Sequence, residues 1–422
     1  MITDRHPVRV LQVFGRTGLG GGESRTMDLY RHLDRDRVQF DFLVHHSAKD
    51  TGKACPTSDE LMAVRSPDYF DEEIRSLGGR IYCLPRFTVK NILSYKKAAA
   101  RFFAEHRGEW KAVQGHMTST ASLYMPEAAK AGAVTITHVR SAGQDPGLKG
   151  MATVLLRSPL KKKGSVAWRF ACSGEAARHV YGTTDSEDIR IIPNAIDVDR
   201  FLYDPAVRES IRTSCGIGSR DIVIGHVGRF DYPKNHEYLI RVFASLLSME
   251  KENPAFGGAA DESGKDQRRL FLMLLGEGDN MPAIKELAKE LGAESQVLFM
   301  NNRKNVSDYY QAMDLFCFPS RYEGLPGTVI EAQSGGLPCL ISDTITQEVM
   351  LTGLVKSADI KEDPAKWAER IRQTLTGRAL PGDEGYDSAR KDAQYPEAVR
   401  EAGFDITAQA RIMTEFYEKG IF

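Results

Sequence analysis

Short apolar segments recur along the chain and predict buried β-strands. In the first half they cover residues 8–14, 40–44, 80–84, 112–116, 134–139, 168–173 and 189–193, and in the second half residues 222–228, 270–275, 297–300, 315–319 and 338–341. Helix-like stretches lie between several of these segments. Alternation of strands and helices is typical of doubly wound parallel sheets, so the chain is predicted to be an α/β protein.

The stretch 314–343 shows this arrangement most clearly. An apolar run is followed by a loop rich in glycine and proline, a helix pattern beginning near Gly327, and a second apolar run. Open α/β sheets bind ligands where a strand gives way to a helix. Glu323 lies in the loop and Glu331 in the helix, so both carboxylates are expected at the carboxyl end of the sheet.

The chemistry of this stretch fits a ligand that is both anionic and rich in hydroxyl groups. A carboxylate accepts hydrogen bonds from two hydroxyls at once. The turn from Gly324 to Gly327 leaves backbone N–H groups at a helix N-terminus, which favours an anion. A nucleotide sugar has both properties, and two surface glutamates flanking a turn are the alternative interpretation.

A second candidate loop follows the predicted strand 222–228. It contains Arg229 and Lys234 and precedes a helix pattern from about His236. Arginine presents a fork of donors, lysine a point charge, and the helix end adds partial positive charge. The loop is therefore a candidate diphosphate clamp, although two cations in a loop are also common without any such role.

A glycine-rich stretch, residues 15–22, follows the first predicted strand and precedes a helix pattern from about Ser24 to Leu33. It does not fit GxGxxG, because the third glycine would fall at Glu23, and no GK[ST] follows. Either the stretch is a tight turn that needs positive φ, or its backbone closes over a donor phosphate or an acceptor. A dinucleotide oxidoreductase is disfavoured by the same mismatch.

His116 ends the predicted strand 112–116. A histidine at the carboxyl end of a strand faces the ligand edge of the sheet. A hydrogen-bonded structural histidine is the alternative. His138 and Arg140 are weaker candidates of the same kind at the next strand end.

Composition narrows the classes of protein. The chain has 422 residues, a formal net charge of −1, and 42% hydrophobic and 27% charged residues, which is ordinary for a globular protein of two or three domains and disfavours bulk nucleic acid as a partner. Its six cysteines are scattered without a CxxC, so neither zinc nor a disulfide framework is indicated, and four of them are predicted to be buried thiols. There is no signal-type N-terminus and no run of about 18 apolar residues, so a cytoplasmic location is expected.

The spacing Glu-x7-Glu, E323-GLPGTVI-E331, followed by Ala332, Gly336 and Pro338, resembles family 4 of the retaining glycosyltransferases, which have the GT-B fold. Gly-Leu-Pro directly after the first glutamate is similar to the capsule and exopolysaccharide branch. The resemblance extends over nearly the whole chain. It implies two Rossmann-like lobes facing a central cleft: an acceptor lobe of residues 1–195 completed by a C-terminal helix within residues 400–422, and a donor lobe of residues 196–399.

The resemblance also implies roles for individual residues. His116 would contact the donor sugar from the first lobe, Glu323 would hold the hydroxyls of the transferred sugar, and Arg229 and Lys234 would neutralise the leaving diphosphate. Glu331 would bind the ribose. The remaining donor-binding candidates are loop residues: Gly21, Gly22, Gly276, Gly278, Asn302, Gly324, Leu325 and Pro326.

Asp197-x-Asp199 matches the metal-binding D-x-D of other glycosyltransferases. We reject that role, because the segment resembles the junction P-N-G-(V/I)-D-x-x-x-F between the lobes of family 4. Ala195 replaces the junction glycine, which puts the local turn geometry in question. No divalent metal or other cofactor is expected.

Three further segments carry expectations. Residues 148–169 mix Lys149, Arg157, Lys161, Lys162, Lys163 and Arg169 with apolar side chains, which suits an anionic membrane surface or, alternatively, a solvated basic face over a core helix. Residues 50–71 are expected to be an irregular surface excursion. Residues 252–269 are expected to be a polar insertion with a tendency to disorder.

These observations favour a metal-independent retaining glycosyltransferase that moves a sugar from a nucleoside diphosphate donor, with a UDP-sugar favoured, to a growing and lipid-linked glycan. The alternatives are an epimerase or hydrolase of nucleotide sugars on the same fold, and a non-catalytic glycan-binding subunit.

Overall fold

The computed structural model describes residues 6–140, 147–256 and 268–420, and it contains two compact units. The first unit is Met1–Ile196 together with Asp405–Phe422, and the second unit is Asp197–Phe404. Residues 400–404, which the sequence assigns to the first lobe, thus belong to the second unit. Most of the insertion predicted at residues 252–269 lies outside the described residues.

The first unit is built on a parallel sheet with the strand order β3-β2-β1-β4-β5-β6-β7. The strands are β1 Val8–Val13, β2 Val38–His46, β3 Ile81–Pro85, β4 Ala112–Gly115, β5 Val134–Val139, β6 Trp168–Ala171 and β7 Ile189–Ile191. The helices between them are α1 Gly21–His32, α2 Ser58–Val64, α3 Asp71–Ser76, α4 Ile92–Glu105, α5 Thr118–Lys130, α6 Gly147–Arg157 and α7 Gly174–Tyr181. Central strands are buried on both faces, which explains why they are continuous apolar runs.

The second unit repeats this plan with the parallel order β10-β9-β8-β11-β12-β13. Its strands are β8 Ile222–Val227, β9 Leu270–Leu275, β10 Val297–Asn301, β11 Leu315–Phe318, β12 Cys339–Ser342 and β13 Val355–Ala358. Its helices are α8 Pro205–Ser214, α9 His236–Glu252, α10 Met281–Glu290, α11 Val306–Ala312, α12 Gly327–Ser334, α13 Pro364–Thr376, α14 Tyr386–Arg390 and α15 Gln394–Glu401. In both sheets the strand order reverses beside the first strand, and the ligand edge of such a sheet lies at this switch point.

The final helix, α16 Ile406–Lys419, belongs to the first unit, as predicted. Asp405 caps it by accepting from the N–H of Ala408 at 2.9 Å. Its apolar face packs into the core beside Val10 and Phe40, and the Tyr417 hydroxyl donates to Gln114 Oε1 at 2.6 Å. The hydrophobic core on the sheet of the first unit is therefore completed by the final helix of the chain.

Two departures from the predicted elements have clear physical causes. Strand β13 was not predicted, because its sequence VKSA alternates buried ends with two exposed polar residues instead of forming an apolar run. Residues 50–71 are more ordered than the predicted irregular excursion, because Ser58–Val64 form α2 and Arg65 forms an ion pair with the buried Asp71 at 2.5 Å.

The basic segment 148–169 is only partly a surface. Arg157 is buried and donates to His179 at 3.2 Å, and Arg169 is buried in a paired contact with Asp188 at 2.7 and 2.8 Å. Lys161, Lys162 and Lys163 are exposed, whereas the side chain of Lys149 lies outside the described residues. Within the described residues, no helix is both long and apolar enough to cross a bilayer.

Candidate active site

The loop between β8 and α9 holds the two predicted cations of the second unit. Arg229 is 74% exposed and pairs with Asp231 at 3.2 Å. A short 3₁₀ turn then leads through Lys234 to Asn235, which takes the left-handed conformation with φ of 56° and starts α9. Asparagine tolerates this conformation better than most residues, so the K-N pair places Lys234 immediately before the turn into the helix.

Lys234 and Glu323 meet at the carboxyl edge of the second sheet. Lys234 Nζ lies 2.7 Å from Glu323 Oε1, and both side chains are largely buried. The ammonium also lies 4.6 Å from the centroid of the Phe318 ring. The predicted phosphate-binding cation and the predicted sugar-binding carboxylate therefore occupy one place, and each compensates the charge of the other.

Hydrogen bonds join the two loops that carry this pair. Asn235 Nδ2 donates to the Pro319 carbonyl at 3.1 Å. The Arg321 N–H donates to the Pro233 carbonyl at 2.7 Å, and the Arg321 guanidinium donates to the Tyr232 carbonyl at 2.9 Å. The loops after β8 and β11 therefore form one braced structure. The sequence contains Asn235 and Arg321, but no spacing signals that they connect the loops.

Glu331 occupies a different environment from Glu323. It lies on α12, which begins at Gly327 as predicted, and it is only 5% exposed. The Tyr310 hydroxyl donates to Glu331 Oε2 at 2.8 Å, an interaction that the sequence did not suggest. Between the two glutamates, Gly324, Leu325 and Pro326 are buried, and Pro326 stands at the N-cap of α12.

The glycines after β9 allow two loops to pack backbone against backbone. A Cβ on Gly276 would lie 2.1 Å from the Gly228 carbonyl oxygen, and a Cβ on Gly278 would lie 2.5 Å from that of Phe230. Asn302 Nδ2 donates to Glu277 Oε2 at 2.8 Å and so ties the end of β10 to the same place. These residues shape the loop edge of the sheet.

Two buried histidines lie beneath the Lys234 loop. His226 Nδ1 donates to the Cys317 carbonyl at 2.9 Å, and the rings of His226 and His236 lie 4.7 Å apart. Burial lowers the pKa of His226 to about 3 and the pKa of His236 to about 2. Both rings are therefore neutral at physiological pH, and Lys234 has no second cation beneath it.

His116 lies at the equivalent edge of the first unit, after β4. Its Nε2 donates to Gln12 Oε1 at 2.8 Å, and Arg140 Nε donates to its Nδ1 at 3.4 Å. Its ring stacks on Phe14 with centroids 4.1 Å apart. Burial, aided by the positive charge of Arg140, holds the pKa of His116 well below its usual value. The ring is thus a neutral Nε2–H tautomer fixed by its neighbours.

The glycine-rich stretch differs from its predicted form. Helix α1 begins at Gly21, so Gly21 and Gly22 form its first turn and are not part of a loop. Within residues 15–22 no glycine has positive φ, which rules out the turn interpretation. The preceding loop is held by Thr17, whose carbonyl accepts from the Phe70 N–H at 3.0 Å and whose own N–H donates to Asp68 at 3.2 Å.

The acidic junction residue Asp199 has a basic partner. Asp199 forms an ion pair with Arg400 at 2.5 Å, and in the described part of the chain no group of three or more metal-ligating side chains is present. Ala195 is buried in the core of the first unit without positive φ, so an alanine replaces the junction glycine without strain.

The structure therefore groups the predicted residues within each unit. In the second unit it joins Lys234 to Glu323, whereas Arg229 pairs with Asp231 and Glu331 with Tyr310. In the first unit it joins His116 to Arg140. The buried partners Gln12, Tyr310 and Phe318 were not predicted, because nothing in their sequence context separates them from ordinary core residues.

Comparisons with known proteins agree with this architecture. Residues 207–392 match the profile of the family described as glycosyl transferases group 1. The chain is 31% identical to the putative glycosyltransferase EpsF of Bacillus subtilis over 377 residues, which cover 88% of each chain.

The names of two more distant relatives include a substrate or a bound ligand. The UDP-Gal:alpha-D-GlcNAc-diphosphoundecaprenol alpha-1,3-galactosyltransferase of Escherichia coli is 22% identical over 75% of this chain and 77% of its own. The crystal structure of Anabaena Alr3699/HepE in complex with UDP shares the fold with a TM-score of 0.69 at 15% identity, covering 98% of this chain and 100% of the other.

Proposed function

Because the chain belongs to the glycosyl transferases group 1, we propose that it is a retaining enzyme of the family 4 type that transfers a sugar from a UDP-sugar to a lipid-linked glycan in exopolysaccharide or capsule synthesis. The observation that carries this proposal is the ion pair of Lys234 and Glu323 at the ligand edge of the second sheet. The reaction breaks the bond between the sugar and the diphosphate of a sugar nucleotide. The cation matches the diphosphate on one side of this bond, and the hydroxyl-binding carboxylate matches the sugar on the other.

The roles follow from the charges. As the glycosyl–phosphate bond breaks, negative charge develops on the leaving diphosphate, and a fixed ammonium stabilises it. Lys234 supplies that ammonium, and the exposed Arg229 is free to turn toward a phosphate by leaving its weak surface pair with Asp231. Glu323 binds hydroxyls of the transferred sugar, and Glu331, ordered by Tyr310, binds the ribose.

The identity of the donor is the first point to test. A thermal-shift screen of UDP-, GDP- and ADP-sugars should show the largest stabilisation with a UDP-sugar, because the relatives named above act on UDP-galactose or bind UDP. A true donor at about 100 times its Kd adds roughly 2.7 kcal/mol. Stabilisation by none of the three nucleotides would contradict the proposal.

Stereochemistry and product identity test the reaction itself. Proton NMR of the product formed with a UDP-α-sugar should show an α linkage if configuration is retained. In the same experiment, donor incubated without acceptor should remain largely intact. Rapid formation of an epimer or of free sugar would favour the alternative of a nucleotide-sugar epimerase or hydrolase.

We propose that the reaction needs no divalent metal. The support is that Asp199, half of the D-x-D, already has Arg400 as its charge partner. Transfer should be unchanged in EDTA, and complete loss that added magnesium or manganese restores would return a metal role to Asp197 and Asp199.

The lipid-linked acceptor predicts peripheral contact with the inner face of the cell membrane. On α6, Met151 and Leu155 lie one turn apart with 66% and 75% of their surface exposed, and the exposed lysines 161–163 follow. An apolar ridge beside cations suits anionic lipid. Flotation with phosphatidylglycerol vesicles should therefore be lost in a Met151→Ser/Leu155→Ser variant. Equal binding of the unaltered chain to neutral vesicles would contradict this contact.

A further inference from the structure

Arg140 is a partly buried cation whose hydrogen-bond partners are all neutral. Its guanidinium donates from Nε to His116 Nδ1 at 3.4 Å, from one terminal nitrogen to Asn194 Oδ1 at 2.8 Å and from the other to Thr26 Oγ1 at 3.1 Å. Among the described residues, no carboxylate forms an ion pair with it. Of the other buried arginines of the first unit, Arg65 and Arg169 pair with aspartates, whereas Arg157 donates to His179.

An uncompensated guanidinium in this setting is costly, because burial removes water without supplying an opposite charge. Burial lowers the pKa of Arg140 to about 10. The charges of Glu23 and Arg25 act on it with opposite signs and leave it cationic. A guanidinium has five N–H donors, of which the three contacts use three, so donors remain for a further partner.

Buried polar atoms without partners lie near Arg140. Its side chain runs along the first turns of α1, where a Cβ on Gly22 would lie 3.6 Å from Arg140 Cγ. Gln12 Nε2 and His138 Nε2, in the same cluster as His116, are buried and have no hydrogen-bond partner in the described part of the chain. Buried polar atoms without partners are uncommon, and two of them beside a cation without a paired carboxylate indicate a polar ligand.

We propose that Arg140 binds a phosphate or diphosphate group of a substrate at the edge of the first sheet, with its remaining N–H groups as donors. This inference rests on the proposed function and adds to it a phosphate-binding cation in the first unit. The group belongs either to the nucleotide donor or to a prenyl diphosphate acceptor, and the chemistry of recognition is the same for both.

The test measures two diphosphates against their phosphate-free counterparts by calorimetry. UDP is compared with uridine for the donor, and farnesyl diphosphate with farnesol for the acceptor. Arg140→Gln should weaken the binding of one of the two diphosphates by about 10- to 100-fold, the range for a lost hydrogen bond to a charged group. The affinity for its phosphate-free counterpart should change by no more than about twofold. Arg140→Lys should recover part of the loss, because it restores the charge without the fork.

Matched variants separate the possible failures. Arg107→Gln makes the same change of charge at an exposed site of the first unit and should alter neither affinity. If Lys234→Ala weakens UDP while Arg140→Gln changes neither diphosphate, the inference falls and the proposed function stands. If the unaltered chain binds no nucleoside diphosphate at all, both fall.

A purely structural Arg140 would give another result. Equal losses for UDP and uridine, or unchanged affinities with a reduced kcat, would show that Arg140 only orients His116 and would overturn phosphate binding. Should Arg140→Gln fail to fold by circular dichroism, Arg140→Lys carries the same comparison, with a smaller but still diphosphate-specific loss expected.

Discussion

At the scale of residues, Lys234 and Glu323 show how two largely buried charges of the candidate site compensate each other. Each group is largely buried, and each would be costly there without the other. A donor that places phosphate near the ammonium and hydroxyls near the carboxylate replaces one set of favourable contacts by another. Under the proposed function, the site would bind its donor without leaving either charge unpaired.

Replacing Glu323 by glutamine or alanine should separate binding from transfer. We expect kcat to fall by at least about 100-fold, which is the typical effect of removing a fixed electrostatic contact from an active site. The affinity for UDP should stay within a few-fold of its original value, because Lys234 remains. Steady-state kinetics and calorimetry measure the two effects. Glu401→Ala, at an exposed position of the same unit, is the control. Full transfer by Glu323→Ala would remove this carboxylate from the site.

The position of Lys234 depends on a glycine. A Cβ on Gly228 would lie 3.0 Å from His226 Nε2 and 3.0 and 3.2 Å from Lys234 Cδ and Cε, so Gly228→Ala should push the lysine stem away from Glu323. We expect kcat/KM to fall by about 10- to 100-fold, because a contact group displaced from its position loses much of its effect on the reaction.

Two glycines serve as controls for this variant. Gly353→Ala should be silent, since nothing lies within 4 Å of the added methyl group. Gly278→Ala should instead lower Tm, because its methyl group meets the Phe230 backbone. Unchanged kinetics in Gly228→Ala would show that the lysine position is not critical.

At the scale of elements, the strands and the starts of α9 and α12 could be predicted, whereas the start of α1 and the strand β13 could not. Buried parallel strands are apolar runs, and each predicted run is a strand in the structure. Strand β13 was missed because an edge position exposes Lys356 and Ser357. Helix α1 begins at Gly21 although glycine disfavours helix, since tertiary packing overrides local propensity.

The same limit applies to the candidate site. The motif residues Lys234 and Glu323 could be found from spacing, because the chemistry requires particular residue types in order along the chain. The groups that brace the site could not be found in this way. Tyr310, which donates to Glu331, and Arg321, which donates to the Tyr232 carbonyl, reach the site from positions that only folding brings near. The sequence likewise does not show that the hydrogen-bond partners of Arg140 are all neutral, because folding brings them together from distant positions in the chain.

A buried charge network, which the sequence analysis did not predict, anchors strand β11. Asp314 accepts from Arg208 at 2.6 Å, from Tyr386 at 2.6 Å and from the Val223 N–H at 2.7 Å, and Arg212 lies 3.3 Å away. Several elements of the second unit therefore converge on one carboxylate at the start of the strand that leads to Glu323.

Asp314→Ala should lower the free energy of unfolding of the second unit by about 3–5 kcal/mol, because it leaves two buried guanidinium groups unpaired. Urea unfolding followed by fluorescence measures this. Asp279→Ala, at an exposed position of the same unit, should have little effect. A loss below about 1 kcal/mol would show that the arginines find other partners.

At the scale of the whole molecule, stability should fall as the solution becomes acidic. Buried neutral histidines occur in both units: the pKa of His45 is lowered to about 4 by burial, that of His226 to about 3, and those of His116 and His138 also lie well below the usual value. The unfolded chain binds these protons near pH 6.5, whereas the folded chain does not. The contribution is complete above pH 6.5 and is lost as pH falls below it.

Each such histidine should cost about 2 kcal/mol between pH 7 and pH 5. Urea titrations at half-unit intervals of pH measure the slope. His226→Asn keeps a donor for the Cys317 carbonyl but removes one titrating group, so its slope should be shallower. A stability that stays flat from pH 7 to pH 5.5 would contradict this account.

The return of α16 to the first unit has a consequence for biosynthesis. The ribosome synthesises the first 196 residues well before it translates α16, the helix that completes their hydrophobic core. Apolar surface of the first unit therefore stays exposed in the nascent chain until the whole second unit has been synthesised. We expect a stop codon at position 405 to yield a chain whose second unit folds and whose first unit is held by chaperones.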